Sequence, residues 1–158
     1  MKSTKISSLI ILLIVLDQIS KVLISSNLAL GESLNLLPFL NFTLIHNPGI
    51  AFSFFDEGGN IARWLLVLTV SGILAYLLFL IYKKTPKNWL ELMSLILIIS
   101  GGLGNLVDRV FLGYVVDFVH VFYQDYSFYV FNMADSYITV GIILYLSYFF
   151  FIERTEKT

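Results

Sequence analysis

Two aspartates, Asp117 and Asp135, are the residues of this chain that could most readily do chemistry. Asp117 is a lone acid within the apolar run Val115–Val119 and has no capping role there, while Asp135 precedes Ser136 at the start of an apolar stretch. Two carboxylates held close on convergent elements cannot both ionise, so the pair shares one proton. The ionised member can then take a proton from an attacking water while the other protonates a peptide carbonyl. This pattern indicates the chemistry of an aspartic peptidase, which needs no cofactor.

Other polar residues lie near the same ends of the apolar stretches. Asp17 and Lys21 are spaced i, i+4 and could pair across one helical turn, and Asn105 and Asp108 share a helix face. Charges at membrane depth are costly and usually functional. The alternative is that these residues only cap and anchor helix ends: Asp135 could be an N-cap or first-turn acid, and Asp108 with Arg109 an interfacial ion pair.

The elements that must position these residues are membrane helices. Hydrophobic residues make up 58% of the 158 residues and charged residues only 13%, and the mean hydropathy is +0.84. Since about 20 apolar residues span a bilayer, we predict an all-α membrane core with four transmembrane helices, at about 6–24, 64–82, 89–106 and 137–152. The first run lacks a small-residue cleavage site and is interpreted as a retained span. Residues 1–158 are expected to form a single integral membrane domain.

Orientation follows from the cations, which concentrate in short cytoplasmic loops. One side of the four-span arrangement carries most of them: Lys2, Lys5, Lys83, Lys84, Lys87, Arg154 and Lys157. Both termini are therefore predicted to be cytoplasmic, with segments 25–60 and 108–134 extracytoplasmic. Runs 36–45 and 114–123 are rich in strand-favouring residues, which predicts a small β-rich element there. Phe52, Phe54 and Phe55 could cover a bound substrate, although burial in the interface is the simpler interpretation.

Composition also excludes several classes of function. The chain has no cysteine and only two histidines, so neither thiol chemistry nor a metal site is expected. A formal net charge of -1 gives no reason to expect nucleic acid as a partner.

Five blocks of the sequence resemble the lipoprotein signal peptidase (signal peptidase II) family in order and position along the whole chain. They are Asp17-Gln18 with Lys21, His46 to Ser53, Gly101 to Arg109, Val115 to Phe118, and Phe131 to Ser136. The Gly101-Gly102-Leu103 stretch departs slightly from the family, which often has alanine there.

The resemblance implies that Asp117 and Asp135 form a catalytic dyad. It implies further that surrounding residues bind substrate or support the site: Asp17, Lys21, Asn47, Gly49, Asn105, Asp108, Arg109 and Asn132. The implied substrate is a prolipoprotein whose cysteine carries a diacylglyceryl group, cut on the amino side of that cysteine. The implied location is the bacterial cytoplasmic (inner) membrane with the active site at its extracytoplasmic face. Membrane lipid is an expected partner, and a complete dyad in one chain indicates a functional monomer.

Two other classes of function stay open from the residues alone. A small transporter or proton-relay subunit would distribute its acids through membrane depth, whereas the middles of the second, third and fourth spans carry no charge. A membrane scaffold with capped helix ends would tolerate the loss of Asp117.

Overall fold

Four long helices dominate the computed structural model, which describes residues 3–49, 60–84, 86, 88–124 and 126–153. They are α1 (Ser3–Asn27), α2 (Asn60–Phe79), α3 (Trp89–Phe111) and α4 (Met133–Tyr148). Helices α2 and α4 continue as π-helical turns at Leu80–Lys84 and Phe149–Glu153. All four are long and apolar enough to cross a membrane, which confirms the predicted helical core.

The surface of this helical bundle is apolar and its interior is partly polar. Ile11, Val22, Leu68 and Ile143 each expose more than half of their surface, whereas Asp17, Lys21, Ser94 and Ser100 are buried. So large an exposed apolar area fits a lipid solvent and would be a liability in water. The buried polar groups therefore need partners within the protein.

Helix α3 lies at the centre and packs against α1, α2 and α4. Its contact with α4 depends on small residues. A Cβ at Gly101 would collide with the backbone carbonyl of Ala134, and one at Gly141 would lie 2.9 Å from the carbonyl oxygen of Ser94. These glycines let the two backbones approach closely, as is common between membrane helices.

A four-stranded antiparallel sheet covers one end of the bundle, in the order β1 (Ser33–Leu37), β2 (Leu40–Asn47), β3 (Val115–Tyr123) and β4 (Tyr126–Ser127). The predicted small β-rich element is thus present. The run 36–45 divides into two strands because a turn at Pro38 and Phe39 interrupts it. Which side of the membrane carries the sheet and the termini stays a prediction.

Two helix ends differ from the expected positions. Helix α3 continues to Phe111, beyond Leu106, because no helix breaker occurs before Gly113. Asp108 and Arg109, expected at the outer end of the third helix, lie in the last turns of α3. Helix α4 begins at Met133, four residues before Tyr137. The proposals made for Phe52, Phe54 and Phe55, and the cations Lys2, Lys87, Arg154 and Lys157, lie outside the described residues.

Candidate active site

The two aspartates are brought together by a short backbone pairing between β3 and the chain that leads into α4. Val119 and Phe131 form an antiparallel bridge, with the Val119 N–H donating to the Phe131 carbonyl over 2.7 Å and the reverse bond at 3.0 Å. Asp117 lies two residues from this bridge on β3. Asn132 follows it directly, and Asp135 occupies the first turn of the helix that begins there.

Asn132 caps α4 and determines where Asp135 points. Its Oδ1 accepts from the Asp135 N–H at 2.9 Å, and the Asp135 Oδ2 accepts from the Asn132 N–H at 3.2 Å. These reciprocal bonds form a capping box, which satisfies two otherwise unpaired donors of the helix end. Of the two structural roles considered for Asp135, the structure shows the first-turn acid, and the N-cap is Asn132.

The same asparagine joins both carboxylates. The Asn132 side-chain amide donates to Asp117 Oδ1 at 2.6 Å, while the Asn47 amide donates to Asp117 Oδ2 at 2.8 Å. The Asn105 amide donates to Asp135 Oδ1 at 2.7 Å. All four carboxylate oxygens therefore accept an N–H, and Asn132, which is fully buried, contacts both acids.

The two carboxylates differ in their surroundings. Asp117 is 1% exposed, and this burial raises its pKa from 3.8 to about 6, helped by the negative charge of Asp135 and opposed by the hydrogen bonds from Asn47 and Asn132. Asp135 is less buried and lines an apolar cavity of about 350 Å³ together with Phe128 and Phe131. Asp117 therefore favours a bound proton at mildly acidic pH, whereas Asp135 borders an open apolar cavity.

A larger cavity, of about 570 Å³, lies between the end of α1 and the sheet and contains neither aspartate. Its walls include Val22, Leu44, His46 and Leu112. His46 and Val116 pair across the strands, so this cavity lies on the sheet face opposite to Asp117.

Asn47 reaches Asp117 because of two local features. Strand β2 has one extra residue between Phe42 and Ile45 relative to β3, a bulge that sets which side chains share the face of Asp117. Gly49 then has φ +89° and donates its N–H to Asn47 Oδ1 at 2.9 Å. Since that oxygen is occupied, the Asn47 amide nitrogen faces Asp117. The structure therefore shows Gly49 in a turn that directs the Asn47 side chain.

Behind the aspartates lies a buried cluster of four residues, the Lys21 cluster: Asp17, Lys21, Asn105 and Asp108. The Lys21 ammonium contacts Asp17 at 2.8 Å, Asp108 at 2.9 Å and Asn105 Oδ1 at 3.0 Å. The predicted pairing of Asp17 with Lys21 is confirmed. Because an ammonium only donates, Asn105 must present its oxygen to Lys21 and its amide nitrogen to Asp135.

The Lys21 cluster also joins the helices to the sheet. Asp17 Oδ1 accepts from the Ala134 N–H at 2.9 Å, and Asp108 Oδ2 accepts from the Val116 N–H at 3.2 Å. The cluster therefore fixes the start of α4, which carries Asp135, and strand β3, which carries Asp117, relative to α1 and α3.

Arg109 does not form the ion pair with Asp108 that was considered from sequence, because Asp108 turns inward to Lys21. The Arg109 guanidinium lies within electrostatic range of Asp135, Asp117 and Asp108. Its Nη1 makes a long bond of 3.4 Å to the Asn105 carbonyl, and its buried Nε has no partner among the residues that the structure describes. The side chain therefore keeps donor capacity beside the aspartates.

Two contributors were missed from sequence. Gln18 donates to Asp108 Oδ1 at 2.9 Å and to the Gly104 carbonyl at 3.2 Å, and its position next to Asp17 in an apolar helix was the available signal. Arg63 donates to two carbonyls at the end of α3. Within the described ranges, no group of three or more histidine, cysteine, aspartate or glutamate residues could hold a metal ion.

Fold and site together define a multi-pass membrane protein with two carboxylates, one buried and one beside a cavity, at one end of its helices. The family model described as Signal peptidase (SPase) II matches residues 9–151. The chain is 45% identical over 145 residues to a lipoprotein signal peptidase of Acinetobacter baumannii, covering 91% of this chain and 82% of that protein. A lipoprotein signal peptidase of Teredinibacter turnerae is 45% identical over 134 residues, with 85% and 80% covered.

A solved structure described as a bacterial membrane enzyme superimposes with a TM-score of 0.84 at 28% identity, covering 96% of each chain. The chain belongs to the signal peptidase II family and is therefore a peptidase.

Proposed function

We propose that this protein is an aspartic endopeptidase that removes signal peptides from diacylglyceryl-modified prolipoproteins, cutting on the amino side of the lipidated cysteine. Asp117 and Asp135 are its catalytic dyad. The prolipoprotein substrate is supported by the names of the relatives, which are lipoprotein signal peptidases.

The observation that carries the proposal is that Asn132 hydrogen-bonds both carboxylates, one through its side chain and one through its backbone. This places two acids around one point, as acid–base hydrolysis of a peptide requires. The pair holds one proton: the ionised acid removes a proton from water as the water attacks the scissile carbonyl, and the protonated acid donates to the carbonyl oxygen. Their roles then reverse, and the amine leaves as a protonated product. No cofactor takes part.

Neighbouring side chains would hold the substrate. Arg109 has donors to spare beside the dyad, which suits it to bind a substrate carbonyl or the oxyanion that forms from it. Asn47, Asn105 and Asn132 fix the carboxylates, and the Lys21 cluster supports them from behind. The apolar cavity at Asp135 opens beside Val140, which is 48% exposed on the lipid-facing side of α4. A substrate anchored by acyl chains would arrive at this level of the membrane.

The proposed location is the bacterial cytoplasmic (inner) membrane, with both termini cytoplasmic and the active site at the extracytoplasmic face. The distribution of lysine and arginine supports this orientation. The chain is proposed to act as a monomer, because both aspartates and their partners come from one polypeptide.

A transporter or proton relay is less well supported by the geometry. The buried charges of the described residues lie near one end of the helices: Asp17 and Lys21 on α1, Asp108 at the end of α3 and Asp117 on β3. They form a site at one depth, whereas a relay needs polar groups through the bilayer.

The proposal is tested by cleavage of a synthetic diacylglyceryl-modified prolipoprotein in detergent. Wild type should cut before the lipidated cysteine. Asp117→Asn and Asp135→Asn should each lose activity by at least about a hundredfold, because each removes a group that transfers a proton.

Glu32→Gln is the matched control, because it neutralises an exposed acid whose carboxylate accepts from the Ala29 N–H in the turn before β1, away from both aspartates. Folding of each variant is verified by thermal unfolding. Near-normal turnover by either folded dyad variant would refute the aspartic mechanism, and cleavage at another position would refute the assigned cut.

A further inference from the structure

The C-terminal end of α3 has carbonyls that its own helix does not satisfy. The Asp108 carbonyl accepts from both the Leu112 and Gly113 N–H groups, at 2.7 and 3.2 Å, and Gly113 has φ +88°. This turn leaves the carbonyls of Arg109 and Val110 without a backbone donor among the described residues. Unpaired carbonyls at membrane depth are costly, so a partner is expected.

Arg63 supplies that partner from α2. Its Nε donates to the Arg109 carbonyl at 2.7 Å, and its Nη2 donates to the Val110 carbonyl at 2.6 Å. The guanidinium is also stacked over Trp64, 5.2 Å from the ring centre. Two parallel bonds from one rigid fork fix both distance and direction, which a lysine could not do.

The position of Arg63 in its own helix is unfavourable by local rules. It lies in the first turn of α2, where the positive end of the helix dipole disfavours a cation. At the end of α3 the same charge is favoured, because the free carbonyls there are negative. Arg63 is thus unfavourable in its own helix, and its contact with the end of α3 compensates for this. Such a combination is typical of residues that serve a functional site.

Arg63 fixes the backbone of Arg109 and Val110 at the end of α3. Among the described residues, the Arg109 side chain has one hydrogen bond, of 3.4 Å, and its Nε has no partner. Its direction therefore depends on the last turn of α3. We propose that Arg63 is a positioning residue, which clamps the end of α3 and thereby aims Arg109 at the dyad. This inference rests on the proposed function.

A double-mutant cycle tests this coupling. Arg63→Gln should lower kcat/KM about tenfold, since small misplacements of a site group have effects of this order or larger. Arg63→Lys, which keeps the charge and one bond, should recover part of the loss. Adding Arg63→Gln to Arg109→Gln should lower activity no further, because the clamp acts through Arg109. Losses that multiply in the double variant would overturn the proposal.

A second measurement does not depend on activity. Amide hydrogen exchange at 109–113 should accelerate in Arg63→Gln, while exchange in the first turns of α3 stays unchanged. Thr69→Val is the control, because Thr69 is an exposed residue of α2 whose hydroxyl donates to the Leu65 carbonyl of the same helix. Unchanged exchange at 109–113 would overturn the clamp. Failure of wild type to cleave the prolipoprotein would instead refute the proposed function, and the exchange result would still decide the role of Arg63.

Discussion

Replacing Lys21 by methionine removes the central charge of the Lys21 cluster, whose two aspartates connect α1 and α3 to α4 and β3. Methionine keeps the length and apolar stem of lysine, so the main loss is the ammonium and its three contacts with Asp17, Asp108 and Asn105. Lys21 is 2% exposed and Asp17 fully buried, so water cannot take over. Breaking a buried ion pair on one side costs about 3–5 kcal/mol. The hydrogen bonds from the ammonium to Asp17 and Asp108, at about 1.5–3 kcal/mol each, give a similar loss of stability.

The assay is thermal unfolding of the purified protein in detergent, followed by circular dichroism. For a chain of this size, a loss of about 4 kcal/mol should lower Tm by about 10 °C. Lys83→Met is the matched control, because Lys83 is exposed and should change Tm little. The double variant Lys21→Met with Asp17→Asn should regain part of the loss, because one uncompensated carboxylate is removed.

Activity provides a second readout for Lys21. Without the ammonium, the Asn105 amide is free to turn its oxygen toward Asp135, so cleavage should fall even at temperatures where the variant is folded. A loss of less than about 1 kcal/mol in Lys21→Met, the value of an exposed ion pair, would show that the Lys21 cluster is not the buried support described above.

Two further predictions concern packing and protonation. In Gly104→Ala the new Cβ would lie 2.6 Å from Asp17 Oδ2, an oxygen already held by Lys21. Unfolding free energy should therefore drop by about 1–3 kcal/mol. The control is Gly72→Ala, whose new Cβ has no atom of the described residues within 4 Å and should be neutral or stabilising. Equal Tm values for the two variants would contradict the close contact at Gly104. The raised pKa of Asp117, about 6 against 3.8, means that the folded state binds the proton more tightly. Wild-type unfolding free energy should thus fall by up to about 3 kcal/mol as pH rises from about 4 to 6 and then level off. Asp117→Asn should lack this part of the pH dependence, and identical pH profiles would contradict the assigned burial.

Features set by short spacings along the chain were predictable. Asp17 and Lys21 pair as an i, i+4 spacing predicts, because helix geometry alone places them on one face. The four helices follow from the length of the apolar runs. The common depth of Asp117 and Asp135 was also inferred, because the four-span topology places the segment of Asp117 and the start of the fourth helix at the same end of the bundle.

Features set by tertiary packing were not predictable. Asp108 was adjacent to Arg109 in sequence, yet it pairs with Lys21 from α1, because α3 continues another turn and directs the side chain inward. Asn132 could be assigned to the site, but its bonds to two carboxylates depend on the β3 bridge at Phe131. The sequence offered one weak signal for Arg63, namely a cation in the first turn of a helix, where the helix dipole disfavours positive charge.

The buried lysine of the first helix has a consequence for how this protein is made. Its distant partners, Asn105 and Asp108, are synthesised more than eighty residues after it, so α1 leaves the ribosome long before they exist. Asp17, one turn away, is available at once and can neutralise the ammonium while the helix enters the bilayer. The same salt bridge that later supports the finished site therefore lowers the energetic barrier to insertion of the nascent first helix.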